Sequence, residues 1–281
     1  MISYSYLSGQ ILLYRHYGRA EPLSGFLALL FFLPFLVALV MTVYYWLKYK
    51  EINLLKISQY FKPLEPHRKH MLQAKFNYYK SLSSTEKNDF EYRVNHFMVN
   101  KNFISETGDE ISDDMKVLIA ASAIQLTFGL RPVYLSNFKN VIFADPLSAD
   151  ANLINSNSII IPWKDFLHGY QDNADGVNEG LRILAVALKI QDRISKPGLK
   201  MFSDIRRRKW VEVSKKEAQR LIKSGQTRFG SVKEINPEEY FAVSVVYFFE
   251  KPKQMKEKHP ELYFALSKLL GQNPLKMNSE K

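Results

Sequence analysis

The chain contains no cysteine. Disulfides, thiolate metal sites and cysteine nucleophiles are therefore excluded. Imidazole is scarce as well: the six histidines are His16, His67, His70, His96, His168 and His259, and no two stand four residues apart. That spacing is what puts two imidazoles on one helix face, so the usual helical zinc motif is missing. His67 and His70 stand three apart, in a basic, proline-containing stretch that reads as solvated. There is no Gly-rich phosphate loop, no Gly-x-Ser-x-Gly elbow and no internal repeat, which removes P-loop, serine-hydrolase and solenoid readings. The acidic loop 171–176 lacks the alternating ligands and terminal Glu of a calcium-binding hand. Acidic residues are also the scarcer charge: 28 Asp and Glu against 39 Lys and Arg leave a net charge of +11.

One long apolar run is present. Positions 26–47 carry no charged residue, and a helix of that length crosses a ~30 Å hydrocarbon layer. Pro34 is tolerated in such a helix, and Tyr44, Tyr45 and Trp46 supply an interfacial aromatic cluster. The run is too long for a cleaved signal peptide, and no Ala-x-Ala site follows it. Only Arg15 and Arg19 precede it, whereas Lys48, Lys50, Lys56, Lys62, Arg68 and Lys69 follow. That asymmetry predicts a single-pass protein of the cytoplasmic membrane with its main domain in the cytoplasm. The expected organisation is an N-terminal segment (1–25), a transmembrane helix (26–47), a basic juxtamembrane connector (48–75), a folded domain (76–275) and a tail (276–281).

The folded domain reads as mainly helical α+β with a small sheet. Ser83-x-x-Glu86 is a capping box, followed by Phe90, Val94, Phe97 and Met98 at helical spacing. Asp113 is the expected cap of a second helix, stopped by Gly129. Positions 140–144 and 158–161 are short, apolar and β-branched, so they are expected strands. Leu181, Leu184, Ala185 and Leu188 form a buried helix stripe, and Asn236, Pro237, Glu238 and Glu239 open a further helix. Lys251-Pro252 is its expected stop, and Pro260 starts a last helix ended by Gly271.

Two of these helices carry the most specific signal, Asn178-Glu-Gly-Leu-Arg-Ile-Leu-Ala-Val-Ala-Leu188 and Glu239-Tyr-Phe-Ala-Val-Ser-Val-Val-Tyr-Phe-Phe-Glu250. With Trp163-Lys-Asp-Phe166 before them and His259-Pro-Glu-Leu-Tyr263 after, they resemble the zinc-dependent peptidases of the Mlc titration factor A family, a zincin group. The resemblance implies a zincin-like fold, with two metal-binding His and a general-base Glu on the first helix and a Glu ligand on the second. Here Arg182 and Val186 stand where it implies the His ligands, Ile183 where it implies the base, and Val246 where it implies the third ligand. Arginine has no lone pair to donate at ordinary pH, and isoleucine and valine bind neither metal nor proton. Two alternatives follow for Arg182: its stem reaches solvent over an apolar core, or it pairs with a carboxylate inside the degenerate site.

Catalytic and metal-ligating residues are thus expected to be absent, and zinc, the family's cofactor, is not expected. The leading expectation is a membrane-anchored, catalytically inactive relative that works by binding protein. The resemblance implies a transcriptional regulator as one partner class. Arg206, Arg207, Arg208 and Lys209 form a candidate basic docking patch, with lipid headgroups the simplest counterpart. No nucleic-acid reader motif is apparent, so no specific nucleic acid is expected. A working metallopeptidase with a relocated site, and a structural protein of the membrane surface, are the alternatives.

Overall fold

Proline opens many of the helices, and short polar side chains cap several others. The computed structural model describes residues 32–44, 62–131, 134–145, 153–155, 157–171, 176–196, 200–224 and 236–277. Two compact units, 1–57 and 58–281, divide the chain. In the first, 32–44 is helical and every one of its side chains is exposed. At about 1.5 Å per residue this piece extends about 20 Å, and no helix among the described residues is long and apolar enough to cross a membrane. The rest of the expected span, 26–31 and 45–47, lies outside the described residues, as do positions 1–25 and 48–61.

The second unit begins with α1 (Pro66–Lys75) and α2 (Asn77–Ser81). The Glu86 carboxylate then accepts from the Ser83 amide at 2.9 Å, and the Ser83 hydroxyl accepts from the Glu86 amide. That is the expected capping box, and it opens α3 (Ser84–Asn100). Strand β1 (Asn102–Ser105) follows, then α4 (Asp113–Thr127), β2 (Asn140–Ala144) and β3 (Ser158–Pro162). The strands form a parallel sheet in the order β1-β2-β3, with Phe103 opposite Val141 and Val141 opposite Ile159. Helices α5 (Trp163–Gln171), α6 (Glu179–Ile194), α7 (Asp204–Ser224), α8 (Pro237–Glu250), α9 (Pro252–Lys258), α10 (Pro260–Leu270) and α11 (Pro274–Met277) complete it. The chain is therefore mainly helical α+β. Helix α6 is central, packing on α4, α5, α8 and β3.

Three points differ from expectation. The cap of α4 is Ser112, which accepts from the Met115 amide at 3.3 Å. Asp113 is instead engaged by α1, accepting from Arg68 at 2.7 and 2.9 Å and pairing with His67 at 2.8 Å. Strand β1 was not expected because its side chains alternate only between exposed and half-buried. Lys251 ends α8 as expected, and Pro252 directly starts the next helix, α9. The described part of the supposed connector, 62–75, belongs to the same core: Leu64, Met71 and Leu72 are buried, and α1 packs on α4.

The far end of the chain is tied back with similar economy. Gln272 is buried, donates to the Gln125 and Leu126 carbonyls and accepts from the Tyr78 hydroxyl at 2.6 Å. Gly271 adopts φ +65°, which ends α10, and the Gly129 backbone lies so close to it that a Cβ there would stand 2.3 Å from the Gly271 carbonyl. Positions 276–277 of the expected tail belong to α11, and 278–281 lie outside the described residues.

Candidate functional site

Two capped helices build the face on which the implied metal residues would stand. Asn178 starts α6, accepting from the Leu181 amide at 2.8 Å while its own amide donates to the Gly169 carbonyl at 3.0 Å. Gly180 lies against the Phe166 ring, where a Cβ would come within 2.1 Å. Asn236 starts α8, accepting from the Glu238 and Glu239 amides at 2.9 and 3.3 Å. The Gly176 amide donates to Glu250 at 3.0 Å and Arg193 donates to Glu238 at 2.8 Å. Each end of α6 thus meets the opposite end of α8, so the two helices run antiparallel.

Arg182 is the polar centre of this face. Its Nε and Nη2 donate to the two oxygens of Glu179 at 2.7 and 2.6 Å, a bidentate pair, and its Nη1 donates to Glu239 of α8. The guanidinium is half-buried. The Glu179 hydrogen bonds hold it charged to a still higher pH than usual, against the opposing effect of burial, with Glu239 adding to the hold. Around it the other three positions are apolar: Ile183 and Val246 are buried, and Val186 packs half-buried against the core. Of the two alternatives for Arg182 the structure shows the paired one, and the valines close the core as the other reading held.

The residues present do not fit a catalytic zinc ion. Three of the four positions offer alkyl groups and the fourth a permanent cation. The two nearby carboxylates, Glu179 and Glu239, are already engaged by that cation. Among the described residues no group of three His, Asp or Glu side chains is placed to hold a metal ion. His67 faces Asp113 and Glu65, and His96 stacks on Tyr134 at 3.8 Å between ring centroids. His259 pairs with Glu217 of α7, which also accepts from Arg220 at 2.7 Å. The His-Pro-Glu-Leu-Tyr stretch therefore pins the junction of α9 and α10 to α7. Of loop 171–176, positions 172–175 lie outside the described residues.

The candidate basic patch does not act as a unit. Arg206, Arg208 and Lys209 are exposed at the start of α7, but Arg207 turns inward. It pairs with the buried Asp192 at 3.4 Å and with Asp204 at 2.9 Å, and donates to the Phe202 carbonyl at 3.1 Å. Asp192 in turn accepts from the Met201 and Phe202 amides. No local spacing marks Arg207 as different from its neighbours; only the position of Asp192 on α6 does.

Two features went unread in the sequence. Lys101 is buried with its ammonium on the Leu135 and Phe138 carbonyls, at 2.7 and 2.5 Å, and 5.1 Å from the Phe97 ring centroid. Burial pulls its pKa down to about 7, helped by Lys139. The second is a cleft of about 300 Å³ lined by Tyr78, Ser122, Gln125, Tyr170, Asn178 and Glu250, among others. It touches α6 at Asn178 and Leu181 but includes neither Arg182 nor Glu239, so it opens on a different face of that helix.

A family model described as glucose-regulated metallo-peptidase M90 matches residues 54–177 and 150–270. An uncharacterized protein of Synechocystis is 25% identical over 257 residues, which is 82% of this chain and 91% of that protein.

Proposed function

Because this chain belongs to the glucose-regulated metallo-peptidase M90 family, and because an arginine bridge stands on the face where the family's chemistry is expected, we propose that it is a non-catalytic member that works by binding protein. The observation that carries the reading is the Glu179–Arg182–Glu239 bridge. A zinc centre would cross-link α6 to α8 through ligands on both helices. The bridge makes the same cross-link with charge-assisted hydrogen bonds, and it ties the two nearby carboxylates to a permanent cation, which disfavours a metal ion beside them. What such a member retains is the peptidase-derived surface, offered to a partner without cleaving it.

The membrane is part of the proposal. The charge-free run 26–47, followed by six cations and preceded by two, supports a single-pass anchor that holds the domain at the cytoplasmic leaflet. The partner class that the family resemblance implies is a transcriptional regulator, and an anchored binder would hold it at the membrane.

The test is metal content and hydrolysis on the untagged full chain, purified in detergent and dialysed. We expect zinc far below one per chain and no cleavage of an unstructured polypeptide. Stoichiometric zinc that survives dialysis, together with cleavage abolished by a chelator, would establish the alternative of a metallopeptidase with a relocated site.

A further inference from the structure

The surface helix α7 has an inner face and a very different outer one. Trp210, Val213, Ala218 and Leu221 are buried. The helix carries eight Lys and Arg against three Asp and Glu. Several of the cations are neutralised locally: Lys209 pairs with Glu212, Lys216 with Glu261 and Arg220 with Glu217. The N-terminal corner differs. Among the described residues the guanidiniums of Arg206 and Arg208 have no carboxylate partner, and neither has that of Arg131. Arg131 and Arg206 line one open cleft of about 620 Å³, which Lys200, Ser203 and the exposed Asp204, itself paired with Arg207, also border. Beside them Ile205 projects with 74% of its surface exposed, the most exposed large apolar residue described in the 58–281 unit.

We infer that this corner docks on an anionic phospholipid surface, with Arg131, Arg206 and Arg208 facing headgroup phosphates and Ile205 entering the headgroup–acyl boundary. Unpaired cations around a protruding branched apolar side chain match that boundary, where charge attracts the anionic leaflet and apolar area is buried beneath it. A nucleic-acid backbone would satisfy the cations but leave Ile205 in water. Among the described residues the corner also lacks an exposed aromatic side chain on which a base could stack, since Trp210 faces the core. The inference rests on the proposed anchoring only for the leaflet it assigns, and the face itself lies wholly within 58–281.

The absence of cysteine makes single-site labelling direct. Full-length Ile205→Cys, carrying an environment-sensitive fluorophore, is reconstituted into vesicles of phosphatidylcholine with or without phosphatidylglycerol. Phe264→Cys, exposed on α10, serves as the control position, and Val37→Cys reports on the anchor. The expected result is a blue shift at position 205 in the anionic vesicles alone, no lipid-dependent shift at 264, and loss of the 205 shift in Arg131→Gln/Arg206→Gln/Arg208→Gln. The inference is overturned by an equal shift in both lipids, by no shift in either, or by a shift that survives the triple substitution. It is also overturned if duplex DNA without lipid produces the larger shift. A probe at 37 that is buried in both vesicles while 205 stays wet would retain the anchor and reject this docking face. A probe at 37 that stays wet would reject the anchor, and the 205 response to added vesicles would still decide the face.

Discussion

A single arginine reorganises the face between α6 and α8. Arg182 carries a charge that cannot be titrated away in the working range, and its planar fork matches the two oxygens of Glu179. Glu239 opens the second of the two segments that carry the family resemblance. With Glu239 45% exposed, solvent screening limits the bridge to about 1 kcal/mol. A double-mutant cycle of Arg182→Met and Glu239→Gln, read by denaturant midpoint, is expected to give a coupling of about 1 kcal/mol that shrinks as salt is raised. Zero coupling at low salt would mean that the bridge contributes nothing to holding the two helices. Arg182 was visible in the sequence as a misfit at a ligand position. Its partners were not: Glu179 lies one turn away and was legible in principle, but Glu239 is 57 residues distant and needs the antiparallel pairing of α6 and α8.

At the scale of elements, capping chemistry was largely readable and buried polar anchoring was not. The capping box at Ser83, the Asn236-Pro237 start and the Gly271 stop are local patterns, and they appear where the residues say they should. Asp113 illustrates the limit: it suits a cap, but cations from α1 compete for it. Lys101 is the clearest case of an anchor that sequence conceals. It follows α3 directly, yet it serves the connection between α4 and β2, where Leu135 adopts φ 50° and its carbonyl accepts the ammonium. The folded pKa of about 7 lies below the ordinary 10.5, so between those values the folded protein binds fewer protons than the unfolded chain. Stability from this group is therefore fully present above 10.5 and is lost as pH falls through 7. Lys101→Met should remove that rise in the wild-type stability between about pH 7 and about pH 10. It should also lose about 1–3 kcal/mol at the alkaline end, because two buried carbonyls lose their donor. Urea midpoints across the range measure both effects; a variant with the wild-type slope would show that Lys101 titrates in the ordinary lysine range.

Over the whole molecule, the main revision is where the folded unit starts. Composition places a boundary at 76, because 48–75 is basic and contains prolines. Yet Leu64 and Leu72 are buried in the main core, Lys69 pairs with the buried Glu91 at 2.6 Å, and the 58–281 unit is compact as a whole. A chain beginning at 58 should unfold cooperatively. One beginning at 76 should lose several kcal/mol, since full burial of each Leu or Met contributes about 1.5–3 kcal/mol; calorimetry of the two fragments compares them directly. Equal melting of both would mean that α1 is only appended to the domain.

The sequence by itself determined the class of fold, the starts and stops of α8 and α10, the capped start of α3, two of the three described strands and which side chains stand at the implied ligand positions. Each of these follows from periodicity, from caps within four residues, or from the identity of a side chain. The tertiary structure alone decided which carboxylates hold Arg182, that Arg207 turns to Asp192 while Arg206 and Arg208 have no carboxylate partner among the described residues, and that α1 joins the core. The physical reason is shared. Whether a charge is neutralised or a modest apolar residue is buried depends on what stands opposite it, and that neighbour comes from elsewhere in the chain.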